Sequence, residues 1–198
     1  MLRRSGGTKM FFVSRKKLLL TVVIAILALF ALGAWSPWVS LRYHGDGKFS
    51  DRGLFSYPRY FVTFSDIQLS QTGEYHFHFR GLPNEEMTLM LYVKDTVFPH
   101  ADSYVPLTNL KVNIEAVLTD DKGHLACHAE GSPAPSNGEE NWVLAFGGAA
   151  AYWHHRCNFV QVHPGRAYDL VIRVTNVGQA VEKVVVTPEL RGGGLELP

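Results

Sequence analysis

The chain has 198 residues, 19 of them Lys or Arg and 18 of them Asp or Glu, for a net charge of +1. Six of the basic residues crowd into positions 1–17, where there is no acid, so the remainder carries 13 basic against 18 acidic residues and a charge near −5. A mildly acidic body of this kind excludes a basic footprint for nucleic acid.

Positions 1–17 form a basic segment through Arg3, Arg4, Lys9, Arg15, Lys16 and Lys17. The run LLLTVVIAILALFALGAW follows, Leu18 to Trp35, without a charge or a proline. A helix over these positions is roughly 27 Å long, close to the ~30 Å hydrocarbon core of a bilayer. Trp35 and Trp38 stand where amphipathic rings favour the headgroup level. The expectation is one transmembrane anchor over 18–38, with the basic segment in the cytoplasm and the C-terminal body exported. The competing reading is a cleaved signal peptide, because ALGAW offers small residues for a cleavage site. Against it, the apolar run exceeds the ~7–15 residues that such signals use. Both readings export the body, and cleavage would make it a secreted protein.

Positions 39–58 are rich in turn-formers and read as a tether or a first irregular strand. From Arg59 onward the apolar residues recur with period two, the mark of strands with one buried face. RYFVTF (59–64) is short and apolar, and GEYHFHFRGLP places Tyr75, Phe77 and Phe79 on one face with His76, His78 and Arg80 on the other. MTLMLYVK (87–94) alternates Met87, Leu89, Leu91 and Val93 against Thr88, Met90, Tyr92 and Lys94. In LKVNIEAVL (110–118), Leu110, Val112, Ile114, Ala116 and Leu118 share the inward face. TDDKG predicts a hairpin turn, with Gly123 free to take positive φ, leading into HLACHAE. NFVQV, AYDLVIRVT (inward Tyr168, Leu170, Ile172 and Val174) and AVEKVVVTPEL complete the pattern. AFGGAAAYW (145–153) reads equally as a short helix or a Gly-flexed strand.

About eight short strands and no long amphipathic helix predict an all-β domain over 59–198. The expected fold is an antiparallel β-sandwich, Ig-like or jelly-roll-like, preceded by one N-terminal transmembrane helix. GEYHFHF and PGRAYDLVIRV also resemble, in their turn-Gly, Tyr and alternating apolar residues, strands that recur in extracytoplasmic β-sandwich modules.

Cys127 and Cys157 are the only cysteines. In an oxidising compartment such a pair is expected to form a disulfide. It would close a loop of about thirty residues around an irregular insertion at about 128–156, worth about 3–4 kcal/mol of chain entropy. No N-x-Ser/Thr acceptor occurs, which favours a bacterial envelope over a glycosylating secretory route.

All nine histidines lie in the exported part. His76 and His78 share a strand face and could chelate zinc or copper, but Arg80 follows on that face and would repel a cation. The disulfide would bring His128, His154 and His155 together. Their spacing matches neither C-x₂₋₄-C nor H-x₃₋₅-H, and exported thiols oxidise first. No metal site is therefore expected, and His76, His78 and His128 remain the positions on which a metal-binding or metal-dependent enzyme reading would have to draw. No cofactor is expected, C-x-x-C-H being absent, and no hydrolase, zincin, P-loop or dinucleotide fingerprint occurs.

The insertion is rich in aromatics: Trp142, Phe146, Tyr152 and Trp153. Trp142, Tyr152, Trp153, His154 and His155 are the candidate partner-binding residues, because Trp and Tyr anchor most recognition surfaces. The alternative is a hydrophobic cap on one end of the sandwich. Together these readings predict a non-enzymatic binding module of the bacterial inner membrane, its domain periplasmic or extracellular, that recognises a protein partner or a glycan.

Overall fold

The computed structural model describes residues 19–26, 28, 42–53, 56–94, 111–134, 140–144, 151–175, 177–178 and 184–194. The chain divides into two compact units, Met1–Trp35 and Ser36–Pro198. In the first unit, residues 19–26 and 28 are helical. Leu19, Leu20, Val22, Val23, Ile24 and Ile26 are all exposed there, so the helix is apolar around its whole circumference. Among the described residues no helix is long and apolar enough to cross a membrane. The rest of the expected 18–38 span, and the basic segment before it, lie outside the described residues.

The second unit is built from two mostly antiparallel sheets, the arrangement of a β-sandwich. Fourteen strands are described: β1 His44–Gly45, β2 Lys48–Asp51, β3 Tyr60–Thr63, β4 Ile67–Gln68, β5 Gly73–Arg80, β6 Glu86–Val93 and β7 Asn113–Asp120. They continue with β8 Leu125–Gly131, β9 Pro133–Ala134, β10 Trp142–Leu144, β11 Ala151–Trp153, β12 Val160–Gln161, β13 Ala167–Thr175 and β14 Val185–Gly192. The smaller sheet has the order β1-β5-β13-β7-β8. The larger runs β2-β3-β14-β6-β11-β10-β9, with β12 also pairing β6 and β4 pairing β14. Among the described residues, only β9 and β10 run parallel.

Period-two patterning becomes burial in the expected way. Tyr168, Leu170, Ile172 and Val174 of β13 and Ile114, Ala116 and Leu118 of β7 face the interior, with Phe77 and Phe79 of β5. Phe64 lies between the sheets, its ring 4.8 Å from Phe77 and 5.2 Å from Phe79. Each such side chain removed from water contributes about 1.5–3 kcal/mol. The expected hairpin is present, Gly123 taking φ +76° in the turn between β7 and β8.

Pro188 sits inside β14, where a missing N–H would ordinarily break a ladder. Its carbonyl accepts from the N–H of Phe64, so its backbone edge points to the side shared by β3 and β4. β3 pairs only from Glu189 onward and β4 only at Val185 and Val186. The proline therefore falls in the gap between two short partners, where no donor is required.

Two stretches are more ordered than the sequence implied. The expected tether supplies β1 to one sheet and β2 to the other, and Tyr43 and Phe49 pack against the core. Within the expected irregular insertion, β9, β10 and β11 extend the larger sheet at its edge. These strands are two or three residues long, too short to show a period. Residues 135–139 and 145–150, including Phe146 and most of AFGGAAAYW, lie outside the described residues.

Candidate functional site

Cys127 of β8 and Cys157, in the short 3₁₀ turn His155–Cys157, form a disulfide with a Cα–Cα distance of 5.2 Å. It ties the edge of the smaller sheet to the segment linking β11 to β12. Around it the insertion sorts its aromatic and histidine side chains by burial, and the sorting corrects the expected contact surface.

Trp142 is 0 % exposed, and its indole N–H donates to the Ile114 carbonyl of the opposite sheet at 2.9 Å. Tyr152 is buried in the core, and His154 is fully buried against the edge of the Trp142 ring. Trp142, Tyr152 and His154 are thus interior groups and cannot touch a partner. His154 Nδ1 accepts the N–H of Arg156 at 3.2 Å, while Nε2 has no partner within hydrogen-bond reach among the described residues. Burial first, and the charge of neighbouring His155 second, push the His154 imidazole below the ordinary histidine range. The carbonyls of Glu130 and Glu140 pull the other way. His155 is exposed and stacks on His154 at 5.1 Å.

Trp153 alternates to the opposite face of β11 and reaches the outer surface of the larger sheet. It borders a hollow of about 250 Å³ together with Tyr57, Thr88, Asn158, Phe159 and Arg191. Tyr57 is 52 % and Phe159 58 % exposed, so two rings stand in solvent beside the half-buried indole. Phe159 holds φ at +53°, a left-handed conformation that costs a non-glycine residue about 1–2 kcal/mol. Thr88 of β6 keeps it there. Its hydroxyl donates to Asn158 Oδ1 at 2.6 Å and accepts the N–H of Phe159 at 3.3 Å. Strain of this kind at an exposed ring marks Phe159 as a candidate contact residue.

A second hollow of about 310 Å³ adjoins the first, bordered by Arg52, Phe61, Tyr92 and Glu189 and sharing Pro58 and Arg191 with it. The two form one trench across β3, β14, β6 and β11. Pairing of Arg191 with Thr88 and of Glu189 with Met90 lines up its floor. The Arg52 guanidinium lies 3.9 Å over the Phe61 ring, and Arg191 donates to the Tyr92 hydroxyl. Glu189 accepts from the Thr63 hydroxyl at 2.9 Å. Burial pushes its carboxyl above the usual range, against the pull of that hydrogen bond and of Arg191 and Arg52. The trench therefore offers ring faces at its rim and guanidinium, carboxyl and hydroxyl groups beneath them. Tyr57 had no periodic signal in the sequence, and the alternation of NFVQV sets Phe159 on the face opposite Val160 and Val162. The cues were the pre-proline position of Tyr57 and the Asn that precedes Phe159.

The histidines considered for metal are each engaged with a carboxylate. His76 pairs with Glu74 at 2.7 Å, His78 with Asp169 at 2.7 Å and His128 with Glu115 at 3.1 Å. Among the described residues no group of three or more His, Cys, Asp or Glu side chains is arranged to hold a metal ion. Asp120 anchors a separate network at the β7–β8 turn. It accepts from the N–H groups of Lys122 at 3.0 Å and His124 at 2.9 Å, and from the Arg166 guanidinium. Burial alone would raise its carboxyl, but the backbone N–H groups of His124 and Lys122 and the His124 ring overcome it and bring the pKa down to about 2.

No protein-family model, curated protein or solved structure matches this chain, so the trench and its three rings are what carry a functional reading.

Proposed function

We propose that this protein is a binding module of the bacterial envelope, anchored by its N-terminal helix and exposing its β-sandwich outside the inner membrane, where the trench holds a glycan chain. The observation that carries the reading is the aromatic rim of Tyr57, Trp153 and Phe159 over a polar floor. Aromatic faces pack against the apolar face of a sugar ring, while guanidinium, carboxyl and hydroxyl groups meet its hydroxyls. A protein-binding hot spot would instead be a continuous apolar centre with polar groups at its edge.

Strand order supports the jelly-roll arrangement over the Ig-like one. The principal strands run β3-β14-β6-β11 in one sheet and β5-β13-β7-β8 in the other. Jelly-roll sandwiches include lectin domains, a support by fold analogy alone. The all-round apolar helix at 19–26 and the basic residues before it support the anchor and its orientation.

Titration calorimetry of the full chain in detergent with soluble envelope polysaccharide fragments tests the reading. Binding is expected for the native chain and is expected to be lost in Trp153→Ala and Phe159→Ala, with the thermal midpoint little changed. Absence of glycan binding, together with a protein crosslinked through a photoreactive group at position 153, would replace the glycan with a protein partner.

A further inference from the structure

Away from the trench, a hollow of about 460 Å³ opens where β5 ends and β13 begins, bordered by Arg42, His44, Arg80, Asp121 and Arg166. Pairing of His44 with Arg80 sets β1 beside the end of β5. Gly81, at φ +82°, lets the chain at Arg42 press against it, since a Cβ there would collide with the Arg42 carbonyl. On the far wall, Arg166 is held by Asp120, and the Asp121 N–H donates to the Ala167 carbonyl at 3.0 Å. Three guanidinium groups thus share one hollow with a single lining carboxylate, Asp121. Asp120, beneath it, is already saturated by its turn amides and Arg166. Arg42 and Arg80 are exposed, and neither forms an ion pair among the described residues. Gathering unpaired positive charge is the reverse of the body's acidic balance, and it suits an anion with several acceptor oxygens.

We infer that this hollow receives the phosphodiester of an anionic phospholipid headgroup, docking the sandwich onto the membrane that carries its anchor. The inference rests on the anchor reading. If the span ends near Trp38, the four residues from there to Arg42 reach at most about 14 Å, which leaves Arg42 within reach of the headgroups. Fork-shaped guanidinium groups bind a phosphodiester through paired N–H donors.

The test uses the full chain in lipid nanodiscs of phosphatidylcholine with or without phosphatidylglycerol, labelled with phenylglyoxal and read by peptide mass. Labelling of Arg42 and Arg80 is expected to slow several-fold when phosphatidylglycerol is present, while exposed Arg156 labels at an unchanged rate. In Arg80→Glu, the slowing at Arg42 is expected to disappear. Equal labelling in both discs would overturn the proposal. Protection by inorganic phosphate in phosphatidylcholine discs, without protection by phosphatidylglycerol, would assign the hollow to a soluble phosphate and overturn the lipid source. A chain that fails to co-elute with discs of either composition would instead overturn the anchor reading, a result distinct from unprotected arginines on a disc-bound chain.

Discussion

Phe159 joins strain to exposure, and the two make opposite demands. Its left-handed φ is one that glycine adopts without cost, and its ring gains little from burial. Phe159→Gly is therefore expected to raise the thermal midpoint, or leave it unchanged, while weakening ligand binding. A scan of midpoint and affinity on the same samples checks both signs. His154 makes a different demand. Its folded-state pKa lies below the value of about 6.5 that it regains on unfolding. The two states bind protons equally above that value. Below it the unfolded chain takes up a proton that the folded chain resists, so stability falls as pH drops through the window beneath about 6.5. Thermal midpoints of the native chain should decline over that window more steeply than those of His154→Gln. Asp120 works at lower pH. Its folded pKa of about 2 is depressed, so its contribution is complete above about 4 and is lost as pH falls toward 2. Asp120→Asn should flatten that acid limb while lowering the midpoint at neutral pH, because an amide cannot accept as many donors as the carboxylate does.

At the scale of elements, the disulfide fixes the insertion to the smaller sheet across 30 residues of sequence. Closing a loop of that length stabilises the fold by about 3–4 kcal/mol through the unfolded state. Cys127→Ser with Cys157→Ser should lower denaturant stability by about that amount. Hydrogen exchange is expected to accelerate first in β10 and β11, which rely on the staple, before β7 and β13. The long strands were legible in sequence because eight or nine residues are enough for a period of two to declare a face, as AYDLVIRVT did for Tyr168 to Val174. The strands β9, β10 and β11 were not. Two or three residues carry no period, and the three join the sheet only through β11, whose partner β6 lies about sixty residues earlier in the chain. Met90 shows a related failure: alternation correctly turns it away from the core, yet it is buried on the floor of the trench.

Beyond the basic N-terminal segment, the chain carries net negative charge, and two local surfaces depart from it. One is the aromatic trench, and the other is the guanidinium hollow beside β1. The class of fold and the crosslink followed from alternation and from cysteine count. Which aromatic residues would face outward did not. Trp142 and Trp153 lie in the same insertion with the same composition around them. Trp142 turns inward because its N–H finds the Ile114 carbonyl across the sandwich, a partner that no local pattern reveals. The trench likewise draws Tyr57, Arg191 and Trp153 from three distant parts of the chain. Since it is assembled only when β3, β14, β6 and β11 are paired, ligand binding should stabilise the entire sandwich. A rise in midpoint that scales with the logarithm of ligand concentration is the expected signature.

The crosslink also has a bearing on when the protein becomes competent. Cys157 is two residues from Phe159, so the bond that secures the insertion also secures one side of the ligand rim. A newly made chain in a reducing compartment would have a loose rim and little avidity for anything it met there. On the proposed location outside the membrane, oxidation there would be the step that arms it.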